Sequence, residues 1–224
     1  SALCSISVPQ LSILKVFKQE IPDLVLHLAS QTTVTGSIIN PREDFEINAL
    51  GTFNVLEAIK NASPKSSLIY SSTNKVMGDL SGIPIKEEKT RYVLKKLKGI
   101  SEKQPLEFCT PYGCSKGAGD QYVLDYARIY NLNTVVFRQS CIYGPRQFGV
   151  EGQGWLAWIV NALAFNQPIN LYGNGKQVRD VLYIDDLVNA YNLAFTNINK
   201  TKGKAYTIGG SNKFSISILE FLGI

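Results

Sequence analysis

The chain has 224 residues, of which 45% are hydrophobic and 18% are charged, with a formal net charge of +5 at pH 7. These fractions are typical of a soluble globular protein, and the length suffices for one domain, or one plus a small lobe. No run approaches the roughly 20 apolar residues of a membrane span, and the start, Ser1 to Cys4, lacks a secretory leader pattern. Four cysteines without a Cys-x-x-Cys pair, and one histidine, predict a reduced, cytoplasmic protein without a zinc site.

Apolar periodicity predicts helices that alternate with short strands. Continuous apolar runs predict strands that are buried on both faces, and Asn174-Gly175 predicts a hairpin turn. The predicted order is helix 11–20, strand 24–28, helix 41–59, strand 68–70, helix 112–131, strand 134–137, helix 154–166, helix 185–196 and a last strand, 206–208.

This alternation predicts an α/β fold whose parallel sheet is covered by helices on both faces. Such sheets bind ligands at the carboxyl ends of their strands, and residues 71–73 and 139–141 follow strand ends. Residues 78–110 form a long predicted loop, which indicates a functional insertion or local disorder. Few aromatic residues accompany its basic side chains, which favours a solvated loop over a nucleic-acid site. These basic residues are Lys86, Lys89, Arg91, Lys95, Lys96, Lys98 and Lys103.

Tyr112 and Lys116 are four residues apart in the predicted helix that begins at residue 112. Residues at this spacing share one helix face, so the ammonium can stabilise the phenolate and lower the pKa of Tyr112. Tyr112 would then serve as an acid or base near neutral pH, and Thr73 could share a proton with it and with a substrate alcohol. A pair at this spacing is also common by chance on exposed helix faces.

Three further segments accompany this set in a fixed order: residues 23–29, residues 135–147 and residues 179–186. Together, these motifs resemble the extended short-chain dehydrogenases/reductases, within the NAD-dependent epimerase/dehydratase branch. The resemblance implies a Rossmann-like, doubly wound parallel sheet with part of a small C-terminal substrate lobe. It also implies an NAD-binding domain over residues 1–150, with the insertion at about 78–110, and a mixed segment over 151–224.

The resemblance also implies a set of site residues. Thr73, Tyr112 and Lys116 would be catalytic. NAD would contact Leu28, Ala29, Ser30, Asn48, Ser71, Ser72, Tyr112, Lys116, Gln139, Ser140 and Ile142. The substrate would contact Gln31, Thr73, Asn74, Cys141, Arg146, Gln147 and Arg179, with Arg179 favoured as a diphosphate ligand. His27 is expected to be structural, and no metal, nucleic acid or membrane partner is expected.

A glycine-rich turn that cradles the dinucleotide pyrophosphate is expected in such a protein, but the sequence contains none in the right place. The resemblance implies that an N-terminal glycine-rich βαβ portion is absent and that the C-terminal lobe stops early.

Two residues distinguish between the reactions of this family. Dehydratases carry Asp-Glu after the catalytic Thr, whereas Asn74 and Lys75 follow Thr73 here, so the sequence favours epimerisation. Residues 71–76, 110–118, 147–148 and 153–155 resemble CDP-sugar epimerases, which implies an isomerase that oxidises and re-reduces C2 of a CDP-hexose, as a homo-oligomer. The alternatives are a UDP-sugar epimerase or decarboxylase and a truncated, non-catalytic binding module.

Overall fold

The computed structural model describes residues 10–224, with side chains from Ser12 onward, so the predictions for Ser1 to Cys4 lie outside the described residues. The chain divides into two compact units. The first runs up to Asp79 and includes Pro105–Arg138 and Asn189–Tyr206; the second comprises Leu80–Gln104, Gln139–Val188 and Thr207–Ile224. Because the units interleave along the chain, a domain boundary at residue 150 stays a prediction.

The described residues form helices and short strands in an order close to the predicted one. The helices are α1 (Gln10–Glu20), α2 (Val34–Ile39), α3 (Pro41–Phe45), α4 (Gly51–Ala62), α5 (Pro111–Tyr130), α6 (Trp155–Ala164), α7 (Ile184–Thr196), α8 (Ile198–Thr201) and α9 (Ile218–Leu222). The strands are β1 (Leu24–His27), β2 (Ser67–Thr73), β3 (Ile85–Glu87), β4 (Tyr92–Leu94), β5 (Asn133–Gln139), β6 (Cys141–Tyr143), β7 (Val178–Tyr183), β8 (Lys204–Ile208) and β9 (Ser215–Ser217). Among residues 10–224, no helix is both long and apolar enough to span a membrane.

The central sheet has the strand order β1-β2-β5-β8. β1 and β2 run parallel, with Leu24 opposite Ser67, and helical segments connect them. The predicted α/β class with a parallel central sheet is confirmed.

Helices cover both faces of β5. On one face, Val136 packs with Leu68 and Tyr70 of β2 against the inward residues of α4 and α5. On the other face, the ring of Phe137 lies 5.2 Å from that of Tyr191 in α7. The prediction that β1 is buried on both faces is wrong, because Leu26 is 44% exposed in a strand that has one neighbour in the described sheet.

The start of α5 fixes where Tyr112 lies. Thr110 caps the helix by accepting a hydrogen bond from Gly113 N at 3.1 Å, and Pro111 occupies the first turn, where its missing N–H costs nothing. Further along, a Cβ on Gly119 would lie 2.5 Å from the hydroxyl of Tyr70. The glycine therefore lets α5 pack closely on β2, although glycine in a helix costs about 1 kcal/mol.

The second unit differs from the sequence prediction in three places. Residues 78–110 contain the antiparallel hairpin β3–β4. Gly173 and Asn174 lie in a turn and Gly175 in a bend before β7, but no strand directly precedes them, so the predicted hairpin turn is wrong. β8 is not the last strand, because β9 follows and pairs antiparallel with β7, which itself pairs parallel with β6.

Candidate active site

The side chains of Thr73 and Tyr112 lie close together, near enough that the Thr73 hydroxyl lowers the pKa of the Tyr112 phenol in part. Thr73 is the last residue of β2, and its Oγ1 also accepts a bond from Lys75 N at 3.2 Å, which begins a short 3₁₀ turn. Tyr112 lies in the first turn of α5, and both residues are 9% exposed. The carboxyl end of a central strand and the N-terminal turn of a helix thus bring these two hydroxyl groups close together.

Lys116 lies one turn further along α5 and is 3% exposed. Its Nζ donates to Ser71 O at 2.6 Å and lies 4.4 Å from the ring centroid of Tyr70. Burial lowers the pKa of Lys116 to about 7, although the Asp120 and Asp44 carboxylates raise it in part. The ammonium therefore loses its proton near neutral pH.

The pKa of Tyr112 shifts in the direction opposite to the prediction. Burial raises this pKa, the nearby Thr73 hydroxyl lowers it in part, and the Asp44 carboxylate raises it further. The predicted lowering by Lys116 is wrong for this structure, because desolvation of the phenolate outweighs the other effects.

A buried polar network adjoins the Tyr112 and Lys116 pair. Asn48 lies in a π-helical turn, Glu46–Leu50, between α3 and α4, a feature often found at functional sites. Its Oδ1 accepts from Ser30 Oγ at 2.8 Å and Gln31 N at 3.0 Å. Its Nδ2 lies 3.1 Å from both Asp44 Oδ1 and Ser115 Oγ. Ser115 in turn donates to Asp44 Oδ2.

His27 anchors this network from the sheet. Its Nε2 lies 2.9 Å from Thr52 Oγ1, and Thr52 donates its proton to Asn48 O at 2.6 Å. Because the Thr52 hydroxyl has only that proton to give, Nε2 of His27 must be the donor. Burial, with a smaller effect of Lys116, lowers the pKa of His27 to about 3, so the ring is neutral at pH 7. This suits the structural role that the sequence predicts.

The remaining predicted site residues of the first unit differ in their hydrogen bonds and in their exposure to solvent. The Gln31 side chain bonds its neighbour Thr33 through both of its polar atoms, at 2.8 Å and 2.9 Å. Ser72 Oγ donates to Asp120 Oδ2 at 2.8 Å and so faces a buried ion pair. Leu28 and Ala29 are exposed after β1, and Asn74 is half-buried after Thr73.

The other predicted residues lie in the second unit. Gln139 and Ser140 lead into β6, which contains Cys141 and Ile142, and Ser140 N donates to Ile208 O at 3.0 Å. Gln147 Nε2 donates to Ile142 O at 3.1 Å, and Arg146 is exposed with a φ of 65°. Arg179, in β7, donates to its neighbour Val178 O at 3.0 Å. Their predicted binding roles stay predictions.

Two further features lie apart from the predicted residues. A cavity of about 430 Å³ in the second unit is lined by residues that include Tyr143, Tyr183 and Phe214, and by none of the predicted site residues. In the first unit, Asp79, Glu107 and Cys109 bring possible metal-ligand atoms within 4.8 Å of one another. All three are exposed, and exposed acidic groups commonly gather without an ion, so this cluster by itself assigns no metal.

Sequence reasoning missed Asp44 and Ser115. Asp44 is 1% exposed and Ser115 is 4% exposed, whereas a charged residue in a predicted helix is ordinarily solvated. Ser115 lies within the Tyr112–Lys116 motif, but its acidic partner is 71 positions away along the chain. No local pattern in the sequence marks that pairing.

The sequence is similar to those of known proteins. The model of the NAD dependent epimerase/dehydratase family matches residues 4–209. CDP-paratose 2-epimerase of Salmonella typhi is 48% identical over 212 residues, which are 92% of this chain and 63% of that protein. A putative UDP-glucose 4-epimerase of Methanocaldococcus jannaschii is 30% identical over 197 residues, 88% of this chain and 58% of that protein. The chain therefore spans less than two thirds of the length of these curated relatives.

Solved structures show the same fold. UDP-glucose 4-epimerase of Thermus thermophilus, in complex with NAD, superposes with a TM-score of 0.78 at 28% identity. The match covers 96% of this chain and 64% of the epimerase chain. Pal from Bacillus thuringiensis superposes with a TM-score of 0.79 at 32% identity. The match covers 94% of this chain and 61% of the Pal chain.

Proposed function

The chain belongs to the NAD-dependent epimerase/dehydratase family, and from this membership we propose that the protein is an NAD-dependent nucleotide-sugar epimerase. The observation that carries the proposal is the buried pair of Thr73 and Tyr112, whose hydroxyls are close enough to interact, one helical turn from the Lys116 ammonium. A hydroxyl pair beside a buried cation is the arrangement that moves a proton to or from a sugar alcohol.

The substrate we propose is a CDP-hexose, inverted at C2. The Salmonella typhi relative is by name a CDP-paratose 2-epimerase, and at 48% identity it supports this choice. Residues 71–76, 110–118, 147–148 and 153–155 resemble those of CDP-tyvelose (CDP-paratose) 2-epimerase. Asn74 and Lys75, which follow Thr73, supply no carboxyl group for the elimination of water, and this disfavours a dehydratase.

Each residue of the site would have its own role in oxidation and re-reduction at C2. Bound NAD would supply the hydride acceptor for C2 and the donor for its re-reduction. Lys116 and Tyr112 would hold the cofactor ribose, because the ammonium has three donors and the protein contact at Ser71 O uses one. Tyr112 Oη would take the C2 hydroxyl proton while Thr73 orients that hydroxyl, and would return a proton once the other face of the ketone is presented. Oxidation needs the phenolate, which burial disfavours by raising the pKa of Tyr112, so a Lys116 ammonium would have to offset that cost when the substrate is bound.

The test measures turnover of the full-length protein on CDP- and UDP-hexoses, with the inverted product identified by NMR. Tyr112→Phe should lower kcat by about 10²–10⁴ because it removes the proton-transfer group. The matched control is Tyr122→Phe, at a 45% exposed position of the same helix, which should retain wild-type turnover. Near-normal turnover by Tyr112→Phe would refute the assigned mechanism.

A UDP-sugar 4-epimerase is the second candidate, favoured by the likeness to the Thermus thermophilus enzyme. Turnover of UDP-hexoses alone would replace the proposed substrate and leave the roles of Thr73, Tyr112 and Lys116 intact. Denaturing extraction would also show whether nicotinamide copurifies, and a protein that neither holds nor binds it would be a non-catalytic module instead.

A further inference from the structure

Asp44 is a buried carboxylate that has no role in the proposed mechanism. It lies in α3 and is 1% exposed, yet it forms no salt bridge with any residue that the structure describes. Its Oδ1 accepts from Asn48 Nδ2 at 3.1 Å, and its Oδ2 accepts from Ser115 Oγ. A buried charge without a cationic partner is costly, and two donors aimed at its two oxygens show that the site is built to hold it.

Both donors adjoin the Tyr112 and Lys116 pair. Ser115 immediately precedes Lys116, and its Oγ also lies 3.2 Å from Tyr112 O. Asn48 Nδ2 lies 3.1 Å from the same Ser115 Oγ. The Asp44 carboxylate therefore contacts the turn of α5 that carries both proposed catalytic residues.

Asp44 is also distinct among the charges around Lys116. Asp120, on α5 itself, raises the pKa of Lys116 more than Asp44 does, but unlike Asp44 it is paired with a cation, through two bonds of 2.9 Å from Arg138 in β5. His27 in β1 is neutral at pH 7, and Tyr70 in β2, whose pKa burial raises, stays protonated. The titratable and charged groups that face Lys116 are thus Asp44, Asp120 with Arg138, His27, Tyr70 and Tyr112.

We propose that Asp44 is a positioning residue whose charge sets the protonation of the Tyr112 and Lys116 pair, and that its contacts with Ser115 and Asn48 hold that charge in place beside the pair. The role assigned to that pair rests on the proposed function. An anion at this position favours the ammonium of Lys116 and disfavours the phenolate of Tyr112, so it raises the pKa of both groups. Asp44 would therefore keep Lys116 charged near neutral pH and hold Tyr112 as a proton donor between steps.

The test is an NMR titration of the Lys116 side chain, labelled with ¹³C at Cε, in the full-length protein. The Lys116 resonance is the one that Lys116→Met removes. In Asp44→Ser and Asp44→Asn, the pKa of Lys116 should fall by about one unit from the wild-type value, because one nearby anion is lost. Asp125→Asn is the matched control: it removes an equal charge from a 40% exposed position of α5 and should leave the Lys116 titration unchanged.

The same variants extend the test to catalysis. If the protein turns over nucleotide sugars, the alkaline limb of the kcat/KM profile should move to lower pH in both Asp44 variants, which a purely structural defect would not cause. If it turns over none, the Lys116 titration still decides the role of Asp44, so the two proposals fail separately. An unchanged Lys116 titration in a folded Asp44 variant would overturn the inference.

Circular dichroism melting shows whether the Asp44 variants fold. Should both unfold, Ser115→Ala carries the test, because loss of one hydroxyl leaves the backbone and the carboxylate in place. Burial raises the pKa of Asp44, and the Ser115 bond opposes that rise, so without the bond the carboxyl group protonates more readily. The pKa of Lys116 should then fall, by less than in an Asp44 variant, and an unchanged value would overturn the proposal.

Discussion

The Lys116 ammonium is buried at a cost in free energy that depends on pH. Its pKa is about 7 in the folded protein, below its ordinary value near 10, because burial disfavours the charge. Between these two values the unfolded chain binds a proton that the folded chain has released. The free energy of unfolding should therefore rise with pH from about 7 to about 10, by up to ~1.4 kcal/mol per pH unit from this group.

Lys116→Met should remove that rise, because no proton is then bound or released at this position. Urea unfolding of the wild type and the variant at pH 7, 8 and 9 measures the difference. Lys204→Met is the matched control, since it removes an exposed ammonium and with it no burial cost. A variant that retained the wild-type dependence on pH would show that Lys116 is charged throughout this range.

At the scale of secondary-structure elements, Asp120 joins α5 to the central sheet. Arg138 of β5 donates to both of its carboxylate oxygens at 2.9 Å, and Ser72 of β2 donates to Oδ2 at 2.8 Å. The side chains of Asp120 and Arg138 are 0% and 6% exposed. This contact fixes the helix that carries Tyr112 and Lys116 to the strand that ends at Thr73.

Arg138→Met should lower the free energy of unfolding by about 3–5 kcal/mol, because it leaves the buried Asp120 carboxylate without a partner. Arg128→Met is the comparison, because it breaks an exposed ion pair with Asp125 on α5, in which the side chains are 77% and 40% exposed. It should lower the free energy of unfolding by less than about 1 kcal/mol. The double variant Asp120→Leu with Arg138→Met should recover much of the loss, since no uncompensated charge remains. Denaturant unfolding distinguishes these outcomes, and equal costs for the two single variants would contradict the account.

Long apolar elements could be predicted from the sequence, whereas short exposed ones could not. The predicted strands 68–70 and 134–137 lie within β2 and β5, since continuous apolar runs leave few alternatives to a buried strand. β3, of three exposed residues, is specified by its pairing with β4 and has no apolar pattern of its own. On α5, Tyr126 is buried whereas Tyr130, one turn later at the end of the helix, is 47% exposed.

At the scale of the whole chain, the division into two units could not be predicted from patterns of residues that are close in sequence. Each unit is assembled from three separate stretches, so residues close in sequence, such as Arg138 and Gln139, are assigned to different units. The position of Thr73 at the end of a strand, and of Tyr112 and Lys116 on one helix, could be predicted because local patterns mark both elements. Asp44 could not, because its burial depends on a contact with Ser115 that only the folded chain creates.

Stability should be distributed unevenly along the chain. The central residues of β2 and β5 are at most 4% exposed, and each of these strands has neighbours on both sides in the sheet. Their amide hydrogens should exchange only through global unfolding. The exposed residues of β3 pair with β4 alone, so their amides should exchange at least ~100-fold faster, through local opening. β1, at the edge of the described sheet, should fall between the two. Native-state hydrogen exchange in low denaturant measures all three, and equal protection in β2 and β3 would show that the chain opens as one cooperative unit.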